Sequence, residues 1–263
     1  LYRSAQTTAK QAATTAQTAA EAASTPPVAA AAGAPASESA FNPSIGVVLN
    51  GTFGAFTRNP DKYRIPGFAL GEETGPGVRG FSLGESEITF SANIDHVLFG
   101  NLTISHPGGT EVELEEAFIQ TTALPYGFTV KGGRFFSGIG YLNGQHAHTW
   151  DFADAPLPYR AMLANQYRDD GVQVRWLAPT DFFLEFGGEL FRGNNFPGAN
   201  SSHGKGAYST FVHFGDDIGT GGSWQGGLSY MRNEARRRDL GASDDDGSEV
   251  FTGFSNIGIA SLV

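Results

Sequence analysis

The chain has 263 residues, with 36 glycines, 21 phenylalanines, no cysteine and a formal charge of −10. The lack of cysteine excludes a disulfide framework and cysteine-ligated zinc or iron–sulfur centres, and the acidic balance argues against nucleic acid as a partner. There is no apolar run long enough for a membrane-crossing helix, but strands that cross as a barrel leave no such run.

The start, Leu1 to Ser4, lacks a basic stretch followed by an apolar one, so no signal peptide is read and a processed or trimmed form is expected. Residues 1–25 are rich in Ala, Thr and Gln. Leu1, Ala5, Thr8, Ala12, Thr15, Ala19 and Ala22 step alternately by four and three, a heptad a/d pattern. Two readings stay open: a thin coiled coil that trimerises or tethers the chain to an envelope or peptidoglycan-associated partner, and a low-complexity helical or disordered leader. Pro26 and Pro27 stop the pattern, and residues 26–40 read as a flexible linker.

From Phe41 to Val263 the composition turns to short alternating runs. Ile45, Val47, Leu49, Gly51, Phe53 and Ala55 define one face of a first strand, and a glycine- and proline-rich loop follows over 58–80. Ile88, Phe90, Ala92 and Ile94 then alternate with Glu87, Thr89, Ser91, Asn93 and Asp95, leaving one face apolar and the other polar. Leu98, Gly100, Leu102 and Ile104 mark a third strand, residues 111–123 a fourth and 128–135 a fifth. Residues 137–169 lose the rhythm, and a segment of that length without alternation favours a functional role. Alternation resumes at 172–176, 182–190, 208–214, 224–230 and 255–263, with loops expected at 192–206 and 232–247.

About ten strands are readable in all. Short turns alternate with long polar loops, and aromatics such as Phe128, Trp176, Tyr208 and Tyr230 stand at strand ends. That layout predicts an all-β fold, an antiparallel transmembrane β-barrel seen in part, in preference to a soluble sandwich.

Several stretches carry a resemblance: Gly80 to Gly84 (GFSLG), Glu113 to Gln120 (ELEEAFIQ), Gly133 to Asn143 (GRFFSGIGYLN), Gln145 to Pro156 (QHAHTWDFADAP) and Asp170 to Asp181 (DGVQVRWLAPTD). Over residues 41–263 the chain resembles bacterial porin-type outer-membrane barrels, a group often described as zinc-regulated outer-membrane receptors. The resemblance implies a larger, even-stranded barrel closing on a terminal aromatic. Ser261-Leu-Val263 carries no such residue, so the expected barrel continues beyond this sequence. It also implies a Gram-negative outer-membrane location, contact with outer-membrane lipid and lipopolysaccharide, and a homo-oligomer such as a trimer.

Two places stand out for chemistry. His146 and His148, with Asp151 and Asp154 close behind, offer the imidazole and carboxylate ligands that zinc accepts. The alternative is a structural role in a constriction loop, packed to the wall by Trp150, Phe152 and Tyr159. The second place is the pore wall, where Glu87, Asp95, Glu113 and Glu115 oppose Lys131, Arg134 and Arg175. Opposed charges across a channel set up a transverse field. No catalytic constellation or nucleotide-binding loop is present, so no enzyme is expected. The functions carried forward are a passive channel narrowed by 137–169, a structural protein tethered through residues 1–25, and a zinc-uptake receptor.

Overall fold

The computed structural model describes residues 43–68, 74–106, 112–201, 205–242 and 248–263. The expected leader and linker, 1–25 and 26–40, lie outside them. Among the described residues there are twelve strands: β1 (Ser44–Val48), β2 (Gly51–Gly54), β3 (Gly80–Leu83), β4 (Ser86–Asn93), β5 (Leu98–His106), β6 (Glu113–Thr121), β7 (Phe128–Phe136), β8 (Arg168–Leu177), β9 (Phe183–Phe191), β10 (Ala207–Ile218), β11 (Gly222–Ala242) and β12 (Ser248–Leu262). Ten of them form one sheet in the order β1-β4-β5-β6-β7-β8-β9-β10-β11-β12, every pairing antiparallel. The sheet is open, with β1 and β12 as its edges among the described residues.

The first expected strand is split. After Val48 the chain leaves the large sheet, and β2 pairs instead with β3 in a separate two-stranded ribbon that stacks Phe53 on Phe81. The loop expected at 232–247 is mostly strand, because β11 runs on to Ala242 and β12 starts at Ser248. The long connections 137–167 and 192–206 fall at the same end of the antiparallel meander. Asp95 closes the turn between β4 and β5, its Oδ1 accepting from the amides of Val97 (2.7 Å) and Leu98 (2.8 Å).

The two faces of the sheet are inverted relative to an ordinary domain. One face presents Ile45, Val47, Ile88, Leu102, Ile119, Val172, Val174, Leu190, Leu228 and Phe254, all exposed. The other carries Glu87, Thr103, Ser105, Gln173, Glu189, Ser209, Ser229 and Asn233, all buried. The period of two explains the separation, and the covering of the polar face explains the burial. Residues 137–167 fold back over that face. Their Ile139, Leu163 and Tyr167 meet Phe135, Phe191, Ala207, Met231 and Ile257 in the hydrophobic core.

One strand changes phase. Thr103 pairs with Glu116 but Ile104 pairs with Leu114, so Glu115 is an inserted residue, a β-bulge. Without it Glu115 and Glu116 would point to opposite faces. With it both are buried, at 0% and 8% exposure.

Candidate functional site

The segment between β7 and β8 is seated by its two ends. Ser137 donates its amide to the Tyr167 carbonyl at 3.0 Å. Buried Asn143 donates its side-chain amide to the carbonyls of Ser137 (2.7 Å) and Tyr167 (2.9 Å), and accepts from the Tyr167 amide at 2.7 Å. Gly138 and Gly140 let the chain pass close to the wall, donating their amides to Glu189 (2.8 Å) and Ser229 (2.9 Å). A Cβ on Gly138 would lie 2.6 Å from the Phe211 ring, and Gly140 adopts φ +66° against the Tyr159 hydroxyl. A short helix, α1 (Leu157–Leu163), completes the segment, and its Arg160 donates to the Thr74 carbonyl at 2.8 Å, joining the segment to the 58–80 loop.

A 3-10 turn at Ala147–Thr149 brings two imidazoles down onto β4 and β6. His148 Nδ1 lies 2.8 Å from Glu87 Oε1, and His146 Nδ1 lies 3.2 Å from Glu87 Oε2 and 3.4 Å from Glu115 Oε2. The far nitrogen of His146, Nε2, lies 3.3 Å from Glu116 Oε2. The His148 amide donates to Glu85 at 3.0 Å. Arg168 closes the group, donating to Glu113 and, at 3.4 Å, to Glu115 Oε1. Five carboxylates therefore face two imidazoles and one guanidinium.

The charge imbalance shows in the titration of the loop groups. Burial works against charging His146, but the carboxylates of Glu115, Glu116 and Glu87 outweigh it and hold the imidazolium well above the usual histidine range. Glu85 is pushed up to about 8, first by burial and then by the neighbouring charges of Glu115 and Glu87. Glu115 is fully buried, and its Oε2 accepts no hydrogen bond. Among the described residues two groups of ligand atoms are close enough to share a metal ion, Glu87 with His146 and His148, and Glu85 with Glu87 and Glu115.

The predicted site residues divide accordingly. Glu87, Glu113, Glu115, His146 and His148 come together. Asp151 and Asp154 do not: both are exposed and belong to neither group, and Asp154 lies 3.8 Å from Arg160. Lys131 and Arg175 lie on the covered face, Lys131 4.3 Å over the Phe118 ring and Arg175 3.5 Å from both Glu185 and Gln120. Asp95 is taken up by its turn. Arg134 shares the phase of Phe128 and Val130 and emerges on the apolar face, where it pairs with Asp170 at 2.8 Å beside Arg192. Tyr159 packs against the core and Trp150 bonds to the Gln145 carbonyl at 3.0 Å, while Phe152, expected to pack the segment to the wall, is 81% exposed.

Reading the sequence missed Glu85, Glu116, Arg168 and Glu189. Glu189 could have been found, since it falls on the polar phase of β9. The others depend on the bulge or on strand ends, where alternation carries no signal.

No family model matches the chain, and no solved structure matches it. An uncharacterized protein of Aquifex aeolicus (strain VF5) is 38% identical over 172 residues, a match covering 62% of this chain and 36% of that relative. The chain thus spans about a third of the length of the curated relative it matches.

Proposed function

We propose that this chain forms the wall and the constriction of a water-filled pore in a bacterial outer membrane, passing small hydrophilic solutes by diffusion. The observation that carries the reading is the inverted sheet, with apolar side chains on the uncovered face and charged or hydrogen-bonding side chains on the face that the 137–167 segment covers. Covering the exposed half of each apolar side chain is worth roughly 1 kcal/mol. Summed over the face, that is comparable with the about 5–15 kcal/mol net stability of a folded domain. Lipid supplies the cover without a protein partner.

Three further features support the reading. Strands β5 to β9 are nine or ten residues long, and a tilted membrane-crossing strand needs about 9–11. Phe128, Trp176 and Phe186 stack side by side near the short-turn end, with centroids 6.3 Å and 5.7 Å apart, as in an interfacial aromatic girdle. The connections are long at one end only. Closure of the barrel by further strands, a trimeric state and contact with lipopolysaccharide belong to the same proposal.

Within the pore, the acidic group of Glu85, Glu87, Glu113, Glu115 and Glu116 faces the segment from one side, and further round the sheet Lys131, Arg175 and His213 stand about Glu185, which lies 3.5 Å from both Arg175 and His213. Solutes passing the constriction would cross a lateral field. The test is single-channel recording of the full natural protein in planar bilayers. Ohmic conductance steps are expected. A protein that never conducts, or that stays monodisperse without detergent, overturns the reading.

A further inference from the structure

The geometry points to a divalent transition-metal site of the zinc class on the covered face, ligated by Glu87, His146 and His148, with the Glu115 carboxylate, 3.4 Å from His146, drawn in as fourth ligand. It reaches beyond the pore reading and does not need the sheet to cross a membrane.

The spacing is that of a coordination shell. Zinc bonds to imidazole and carboxylate are about 2.0–2.2 Å, so the edge of a tetrahedron of ligands is about 3.3 Å. The separations here are 2.8 Å for His148 to Glu87, 3.2 Å for His146 to Glu87 and 3.4 Å for His146 to Glu115. Both histidines present the same nitrogen, Nδ1, toward the one carboxylate they share, Glu87. All ligand atoms of the Glu87, His146 and His148 group lie within 4.8 Å of one another.

An independent observation comes from Glu115. This side chain is fully buried, Arg168 holds its Oε1, and its Oε2 stands 3.4 Å from His146 Nδ1 without accepting a hydrogen bond. Leaving a buried carboxylate oxygen unsatisfied is costly, and an ion at this point satisfies it. The outer support is also in place. Glu116 takes the far nitrogen of His146 at 3.3 Å, the carboxylate–imidazole–metal arrangement that fixes a ligand's tautomer and orientation. Glu85 receives the amide of His148 and steadies the turn. Two imidazoles with two carboxylates select a zinc-like ion over calcium or magnesium, which take oxygen ligands. Binding would also fasten the 137–167 segment to β4 and β6, since the histidines belong to the segment and the glutamates to the wall.

The experiment strips the full chain in detergent with a chelator and titrates it with zinc, then with cobalt(II) as an optical probe. One ion per chain is expected, with cobalt giving the intense visible bands of a four-coordinate site. His148→Ala alone should weaken binding by about 100-fold or more and Glu115→Gln by about 10-fold or more, because removing a ligand costs at least what removing an outer-shell partner costs. The paired change Asp151→Asn with Asp154→Asn should leave affinity as it was. Circular dichroism on each variant separates lost binding from lost folding, and the isosteric Glu115→Gln serves if the histidine variant does not fold. Zinc lost on simple dialysis, affinity unchanged in folded His148→Ala, or calcium held more tightly than zinc overturns the assignment. Conductance plays no part in this readout, so failure here leaves the pore proposal standing, and the reverse also holds.

Discussion

The amide of Gly138 donates to Oε1 of Glu189 at 2.8 Å across 51 residues of sequence. Gln173 donates to the same oxygen at 2.6 Å, and the hydroxyls of Ser137 and Ser209 donate to the other. A buried carboxylate is tolerated only when its lone pairs are filled, and here the segment and the wall fill them jointly. Glu189→Ala strands those donors and should loosen the seating of the segment by about 2–4 kcal/mol. Faster protease cleavage within 137–167 and a larger single-channel conductance are expected; wild-type values in both would show that Glu189 does not hold the segment.

Asn143 clasps the two ends of the same segment through three hydrogen bonds. Asn143→Ala should cost about 2–3 kcal/mol, since it takes away the bonds Asn143 makes to the Ser137 carbonyl and the Tyr167 amide. Amide hydrogen exchange at Tyr167 checks it, with protection falling there before it falls in β8. Equal loss throughout β8 would mean global unfolding instead.

The apolar face offers a test of its surroundings. Val174 lies mid-strand on β8 and is 43% exposed. In water, Val174→Arg would change stability by about 0.5 kcal/mol or less. Facing lipid, the same change should cost about 2–4 kcal/mol. Denaturant unfolding in lipid vesicles tells the two apart, and a cost in the lower range would remove the membrane from the account.

In metal-free protein, acid should tighten the segment's hold and alkali weaken it. Glu85 titrates near 8 in the folded chain against an ordinary value of 4.5, so between those limits the folded state holds the extra proton. Stability is therefore fully present below about 4.5 and falls as pH rises through about 8. Glu85→Gln imitates the protonated acid and should remove Glu85's share of that slope, leaving the share that His146 adds above about 6.5, and gain stability at high pH. Unfolding midpoints measured with chelator from pH 5 to 9 follow the effect, and identical slopes in both proteins would exclude Glu85 as its source.

Much of the sheet was legible because the period of two is simple: Ile88 to Ala92 and Val172 to Trp176 read as strands and are strands, while Ile94 falls just past the end of β4. Arg134 has the charge of a wall residue but the phase of Val130, and the phase decides its face. Asp95 was assigned to the wall although an Asp at a turn commonly serves its own backbone. The extension of β11 was hidden by its charges, Arg236 and Arg238 among them. In a hairpin reaching past the apolar band, nothing constrains which side chains alternate. The pairing of His146 with Glu116, 30 residues apart, depends on a fold-back that no local pattern encodes.

The inserted residue in β6 makes that strand a sentence in two tenses. Ahead of Glu115 the odd-numbered positions look toward the covered face, and past it the even-numbered ones do. A charge scan along β6 would therefore report tolerance and intolerance in alternation, skip one beat, and resume inverted. Excising a single residue there would rotate the remainder of the strand by half a turn, presenting Ala117 and Ile119 to the segment and Glu116 to whatever covers the apolar face.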